Sequence, residues 1–136
     1  MNWKVRIQAI FGAMIFLGAA QAAMAQDYVG PIIDNHAHLR LGRSDGLMPD
    51  HPVGTDALRT LDDHAGVVHS ALIVIARKGV PEQTREQNDA VMAAAAASAG
   101  RFYAVVSVHP ADGEAALAEL ERLAKRGARA GKLHPN

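Results

Sequence analysis

The sequence contains no cysteine. No disulfide can therefore compensate for a small core, and any bound metal must take its ligands from His, Asp, Glu or groups derived from Lys. Basic residues number 14 and acidic residues 14, so the formal net charge is zero. A nucleic-acid-binding domain would show a clustered basic excess, and its absence argues against a nucleic-acid partner.

The sequence also lacks an apolar run long enough to cross a bilayer. The run near the N-terminus, IQAIFGAMIFLGAA, spans about 14 residues, whereas a membrane-spanning helix needs roughly 20. Lys4 and Arg6 flank it on one side, and the small residues of Ala23–Ala25 follow it, as at a signal peptidase site. We therefore predict a signal peptide over residues 1–25, cleavage before Gln26, export to the periplasm or medium, and no membrane attachment afterwards.

Residues 26–136 form the predicted domain. Removing the signal peptide takes away two basic residues, so twelve basic residues face fourteen acidic ones and the net charge becomes −2. Strand-like and helix-like segments alternate along this domain. The four predicted strands are PIIDN, VVHSALIVI, RFYAVVSV and AGKLHP.

Three helices are predicted between these strands. The first is capped by Thr55 and ends at Gly66, with Leu58, Leu61 and Ala65 on its buried face. The second opens with a capping box of Thr84 and Gln87 and runs through the alanines to Gly100. The third is capped by Asp112 and ends at Gly127, with a Glu121–Lys125 pair on its surface. Its predicted buried stripe consists of Leu117, Leu120, Leu123 and Ala124.

This (βα)3β order predicts an α/β fold with a parallel sheet. Two architectures fit the pattern equally well. One is a small doubly wound domain, and the other is the first half of a (β/α)8 TIM-type barrel, which needs about 250 residues in full.

Polar residues follow the predicted strands where they end. Working side chains of parallel α/β folds gather at the carboxyl ends of strands, so these residues would share one rim. They are Asp34, His36 and His38 after the first strand, His109 after the third, and Lys132 and His134 in the fourth.

The segment IIDNHAHLRLG places three of these residues two apart, so in an extended chain they project to one face. Two imidazoles at this spacing can bind one divalent ion, and zinc is the commonest such ion. His36 and His38 are therefore the predicted metal ligands, and Asp34 is a candidate for orienting an imidazole.

His109, Lys132 and His134 each have two possible roles. His109 is a site residue or a turn residue, while Lys132 and His134 line the site or form surface contacts. His51, His64 and His69 are predicted to be solvated or internally satisfied.

Three motifs resemble one family. IIDNHAHL resembles the first-strand metal motif of the metal-dependent amidohydrolase superfamily. NDAVMAAAAASAGRFYAVVSVHP is similar to a stretch of its amidohydrolase-2, decarboxylase-like branch, and GKLHP resembles that branch's fourth strand. The resemblance covers residues 31–136.

The resemblance implies a metal-dependent barrel that hydrolyses C–N or C–O bonds, or decarboxylates, a small-molecule substrate. It carries His36 and His38 over as metal ligands. The family's other ligands are histidines of strands five and six and an Asp after strand eight, which would lie beyond residue 136. We therefore expect the N-terminal half of an enzyme that is not competent alone. In some branches a carboxylated lysine bridges two metals, and Lys132 is the lysine placed to imitate it.

Two other functions fit the same residues. A TatD-like metal-dependent nuclease also has an early H-x-H, but it places a glutamate where this sequence has GKLHP. A non-catalytic periplasmic metal-binding or interaction module is the alternative outside enzymes, and an oligomer is compatible with either.

Overall fold

The computed structural model describes residues 28–41 and 53–133. The predicted signal peptide, His51 and His134 lie outside the described residues. Contacts between Cα atoms separate residues 31–136 from the preceding part of the chain as a second unit, and every helix and strand named below belongs to that unit. No helix among the described residues is long and apolar enough to cross a membrane.

Four strands and three helices alternate along the described residues of the second unit. Each strand except the last is followed by a helix, and a 3-10 helix, Pro110–Asp112, precedes the third of these. The elements are β1 Ile32–Ala37, α1 Thr55–Ala65, β2 Val67–Ile73, α2 Pro81–Ala97, β3 Phe102–Ser107, α3 Glu114–Lys125 and β4 Gly131–Lys132.

The sheet has the order β1-β2-β3-β4, and all three neighbouring pairs are parallel. A doubly wound sheet reverses its strand order at a switch point, whereas a barrel adds each new strand beside the previous one. The observed order therefore decides between the two predicted architectures. The sheet is a four-stranded half of a (β/α)8 barrel.

The core lies between the sheet and the first two helices. Leu72 of β2 and Phe102 of β3 are almost fully buried and form one cluster with Val91 of α2. Leu58 of α1 packs against this cluster. Burying such side chains supplies roughly 1.5–3 kcal/mol each, which is the main force that fixes both helices to the sheet.

The helix starts differ from the predicted caps. The N-cap of α1 is Gly54 rather than Thr55. The second helix starts at Pro81, so Thr84 lies inside it, buried, and its hydroxyl donates to the Val80 carbonyl at 3.3 Å. Proline favours the first helical position because its fixed φ suits the helix and its missing N–H would lack a partner there anyway. The predicted capping box was therefore wrong.

The third helix also starts later than predicted, at Glu114. Asp112 does not cap it but accepts a hydrogen bond from the Gly79 backbone N–H at 2.8 Å, which ties the loop after β2 to the loop after β3. Of the predicted stripe only Leu123 is buried, since Leu117, Leu120 and Ala124 are exposed. The buried residues of α3 are Ala116, Glu119 and Leu123.

The glycine ends predicted for α1 and α3 are confirmed, whereas α2 ends at Ala97 with Ser98 as its C-cap, short of the predicted Gly100. Gly66 adopts φ 70° and its N–H bonds the carbonyls of the last helical turn of α1. Gly127 adopts φ 90° just after α3, and the Glu121–Lys125 pair forms at 3.9 Å. Glycine suits both turns because a side chain makes a positive φ costly.

Candidate metal centre

The first strand extends further than predicted and carries His36 within it. Its pairing with β2 contains an irregularity, because Asp34 opposes Ser70 while Ala37 opposes Leu72. Three steps along β1 therefore match two along β2, as in a β-bulge. Bulges re-aim the side chains beside them and are common near active sites.

The two imidazoles of the H-x-H motif lie side by side. Their ring centroids are 5.0 Å apart with an interplanar angle of 73°. Nδ1 of His38 lies 2.7 Å from the carbonyl oxygen of Ile73. A carbonyl only accepts, so Nδ1 carries the proton of this bond, and in the neutral ring Nε2 keeps its lone pair. Metal-binding histidines use this arrangement to fix the ring and its tautomer.

Asp34 contacts the backbone of the motif. Its Oδ1 accepts a hydrogen bond from the His36 N–H at 2.8 Å. This contact holds the backbone conformation of the bulged segment. Asp34 therefore supports the main chain of the motif, and its role as an orienter of an imidazole stays a prediction.

Lys132 of β4, the strand at the opposite edge of the sheet, lies beside His36 of β1. Its Nζ lies 3.5 Å from Nε2 of His36. Its carbonyl accepts a hydrogen bond from the Ser107 hydroxyl at 2.7 Å, and Ser107 is also its pairing partner in β3. The half-barrel curvature therefore brings β1 and β4 to the same site.

His109 follows β3 and makes a turn contact. Its Nδ1 accepts from the backbone N–H of Ala111 at 3.1 Å and so caps the short 3-10 helix. The other histidines described are also accounted for: His69 bonds the Gly100 carbonyl at 2.9 Å and contacts the Tyr103 ring, and His64 is exposed at the end of α1.

The amidohydrolase-2 family model, described as Amidohydrolase, matches residues 33–136. The chain belongs to the amidohydrolase family. No curated protein and no solved structure matches it. The matched range begins at β1 and agrees with the range of the resemblance. This superfamily comprises metal-dependent hydrolases and decarboxylases.

The amidohydrolase domain holds the end of β3 with a buried side chain that the sequence did not single out. Asn88 of α2 is fully buried. Its Oδ1 accepts from the Ser107 N–H at 2.9 Å, and its Nδ2 donates to the Ser107 carbonyl at 2.9 Å. The side-chain amide of Asn88 therefore binds the N–H and carbonyl of Ser107 in the way that the backbone of a neighbouring strand would. It does so at the end of β3, next to the site. Asn88 opens the stretch NDAVMAAAAASAGRFYAVVSVHP that resembles the family, but only the fold determines which backbone groups it binds.

A charged network supports this clamp from α3. Glu119 is buried, accepts from Asn88 Nδ2 at 3.1 Å and binds Arg122 through two contacts of 2.7 Å. Asp89 accepts from Arg122 at 2.8 Å and also from Arg126. Burial raises the pKa of both Glu119 and Asp89, but the arginine hydrogen bonds and charges outweigh it, so each pKa lies below its usual value. The same contacts raise the pKa of Arg122.

The residues present fit two ligands of a metal site. Among residues 28–41 and 53–133, no group of three or more His, Cys, Asp or Glu side chains is placed so that it could hold a metal ion. His36 and His38 are adjacent, and His38 has a fixed ring with a free Nε2. A neutral imidazole of this kind suits zinc.

Proposed function

We propose that this protein is an exported metal-dependent amidohydrolase that acts on a small molecule through a metal-activated water. The reaction class is hydrolysis of a C–N or C–O bond, or non-oxidative decarboxylation. The observation that carries the proposal is the hydrogen bond from His38 Nδ1 to the Ile73 carbonyl, beside the ring of His36. Family membership supports the same reading.

His36 and His38 would hold the divalent ion, most simply zinc. A bound zinc lowers the pKa of its water to about 7 and so supplies a nucleophile at neutral pH. The protein's own contribution is orientation. The Ile73 carbonyl fixes the His38 ring, Asp34 fixes the backbone at His36, and Lys132 places a positive charge beside the pair.

Two imidazoles alone do not make a catalytic zinc site. Such sites use three protein ligands and leave one position for water or substrate. The described residues bring only two such ligands together. We therefore propose that the remaining ligands and the general base come from elsewhere, as the family implies, and that this polypeptide alone turns over little substrate.

Zinc titration of the full chain tests the ligand assignment. The wild-type protein is compared with the His36→Ala/His38→Ala double variant and with His64→Ala, which removes an exposed histidine of α1. We expect the double variant to lose zinc affinity and His64→Ala to keep it. Equal zinc affinity in all three proteins would remove the basis of the proposal.

Turnover is tested separately. The refolded chain is assayed with zinc on ester, lactone and amide substrates, with a chelator as the blank. We expect activity close to that blank. Robust, chelator-sensitive turnover would contradict the proposed need for further ligands while leaving the metal-dependent reaction class intact.

Export is a further part of the proposal, supported by the charge and apolar pattern of residues 1–25. N-terminal sequencing of the protein from an expressing bacterium tests it. We expect the chain to begin at Gln26 in the periplasmic or medium fraction. An uncleaved chain in the cytoplasmic fraction would overturn the export prediction.

A further inference from the structure

His109 lies at the start of the short 3-10 helix after β3 and caps it with its ring. Its Nδ1 accepts a hydrogen bond from the Ala111 N–H at 3.1 Å. A ring nitrogen accepts only when it carries no proton, so this contact requires the neutral ring with its proton on Nε2. Histidine is the side chain that normally changes its charge between pH 5 and pH 8. A proton on Nδ1 would set two N–H groups against each other, and the cap would be lost.

Asp112, the last residue of the 3-10 helix, joins two loops at the carboxyl end of the sheet. Its backbone N–H donates to the His109 carbonyl at 3.0 Å. Its Oδ1 accepts from the Gly79 N–H at 2.8 Å, in the loop that follows β2. That loop begins directly after Ile73, whose carbonyl binds the ring of His38. One carboxylate therefore ties the loop after β3 to the loop beside the H-x-H motif.

The surroundings of His109 contain carboxylates rather than cations. His109 lines a cavity of about 10 Å³ between the starts of α2 and α3, with room for about one water molecule. The residues that α2 contributes to the lining, Pro81 and Thr84, carry no charge. The ionisable side chains that line it besides His109 are Asp112 and, from α3, Glu119. A protonated ring would therefore be attracted by its neighbours.

The two carboxylates differ in their partners. Glu119 accepts from Asn88 and is held by two contacts to Arg122. Burial raises the pKa of Glu119, but these hydrogen bonds outweigh it, so Glu119 is already charged and paired where histidine titrates. Asp112 holds a neutral backbone N–H, that of Gly79. A charged imidazolium is a stronger donor to a carboxylate than a neutral amide, so it competes with Gly79 for Asp112.

We propose that His109 makes the contact between the loops after β2 and β3 dependent on pH. With the ring neutral, Nδ1 caps the 3-10 helix and the Asp112 carboxylate stays on the Gly79 N–H. With the ring protonated, the cap is lost and the imidazolium draws the carboxylate away from Gly79. Acid therefore separates two loops that border the predicted metal ligands. The inference concerns the metal-free chain and does not depend on the proposed function.

An NMR titration of the full chain from pH 8 to pH 5, without added metal, tests the inference. The imidazole signals of His109 report its protonation, and the amide signals of Ala111 and Gly79 report the two hydrogen bonds. We expect both amide signals to shift with the same midpoint as His109. Amide exchange at both positions, corrected for its intrinsic pH dependence, should become about fivefold faster, as for the loss of one ordinary hydrogen bond. An unchanged Gly79 amide while His109 titrates would overturn the inference.

His109→Asn separates the cap from the titration. Asparagine is a favoured N-cap acceptor, and it takes up no proton in this pH range. The amide signals of Ala111 and Gly79 should therefore stay constant from pH 8 to pH 5 in this variant. A response that persists there would show that another group causes it, and the assignment to His109 would be wrong.

Asp112→Asn tests how the change reaches the second loop. The amide oxygen of asparagine can still accept from Gly79, but the negative charge that attracts the imidazolium is gone. The Ala111 amide should keep its pH response, and the Gly79 amide should lose it. A Gly79 response that survives this change would contradict the role of Asp112. His69→Asn is the matched control, since it removes a titrating ring of β2 that binds the Gly100 carbonyl, and it should follow the wild type. A loss of both responses in this control would refute the assignment to His109.

Discussion

Nδ1 of His38 lies 2.7 Å from the carbonyl oxygen of Ile73, at the end of the neighbouring strand. The second strand thus supplies the group that orients an imidazole of the first. Because Ile73 is buried, this hydrogen bond is shielded from water on the strand side. The orientation and tautomer of the His38 ring are therefore fixed before a metal binds, which lowers the free-energy cost of ordering the ring on binding.

Replacing His38 alone should weaken zinc binding by at least about tenfold, since even partners of a ligand typically contribute that much. His69→Ala is the matched control. Its ring also bonds a backbone carbonyl, at 2.9 Å from the oxygen of Gly100, but His69 lies near the start of β2, opposite Ile33, whereas the H-x-H motif lies at the end of β1. Calorimetric zinc titration should separate the two variants, and equal losses would show that the effect is structural.

Asn88→Ala should destabilise the fold by about 2 kcal/mol or more, because it leaves the buried N–H and carbonyl of Ser107 without partners. Urea unfolding followed by circular dichroism measures the free energy of unfolding. Asn35→Ala, at an exposed position of β1, should change it by less than about 0.5 kcal/mol. A similar loss in both variants would contradict the clamp.

Glu119→Gln should reduce the acid sensitivity of the fold. The pKa of Glu119 is lowered in the folded state, so the unfolded chain binds its proton more readily. Its stabilising contribution is therefore fully present above its usual pKa of 4.5 and is lost as the pH falls through its lowered pKa in the folded state. We expect the variant to be less stable than the wild type at pH 7 and the difference to shrink at pH 3.

Unfolding free energies measured across this pH range test the effect. Glu121→Gln, which removes an exposed carboxylate of the same helix, is the control and should follow the wild type. A wild-type profile that is flat between pH 5 and pH 3 would rule out the contribution of Glu119.

Gly66→Ala should destabilise the fold by about 1 kcal/mol, because alanine is strained at the positive φ of 70° that ends α1. Space is not the limit there, since an added Cβ would meet Ile32 only at 3.9 Å. Gly54→Ser is the companion change: φ is −83°, the position is open, and serine is a favoured N-cap. Thermal unfolding should place the two variants on opposite sides of the wild type, and a matching shift in both would refute the conformational argument.

The sequence alone determined the strand–helix alternation, the glycine ends of two helices and the H-x-H motif at the end of the first strand. These features are local: periodicity, a left-handed turn and residue spacing are properties of short segments. The predicted helix starts were wrong because they were also inferred from local patterns alone. Whether Thr84 caps a helix or lies buried within it depends on Pro81 and on packing, which local patterns of hydroxyl and amide residues do not contain.

The tertiary structure decided what lies beside the motif. Strand order separated a barrel from a doubly wound sheet, although both have the same element pattern. Glu119 became buried on α3, where Leu117 was expected, because the network of Asn88 and Arg122 satisfies its charge. Lys132 reached His36 across 96 residues of sequence. Such contacts arise from the curvature of a parallel sheet, which joins strand ends that no local pattern relates.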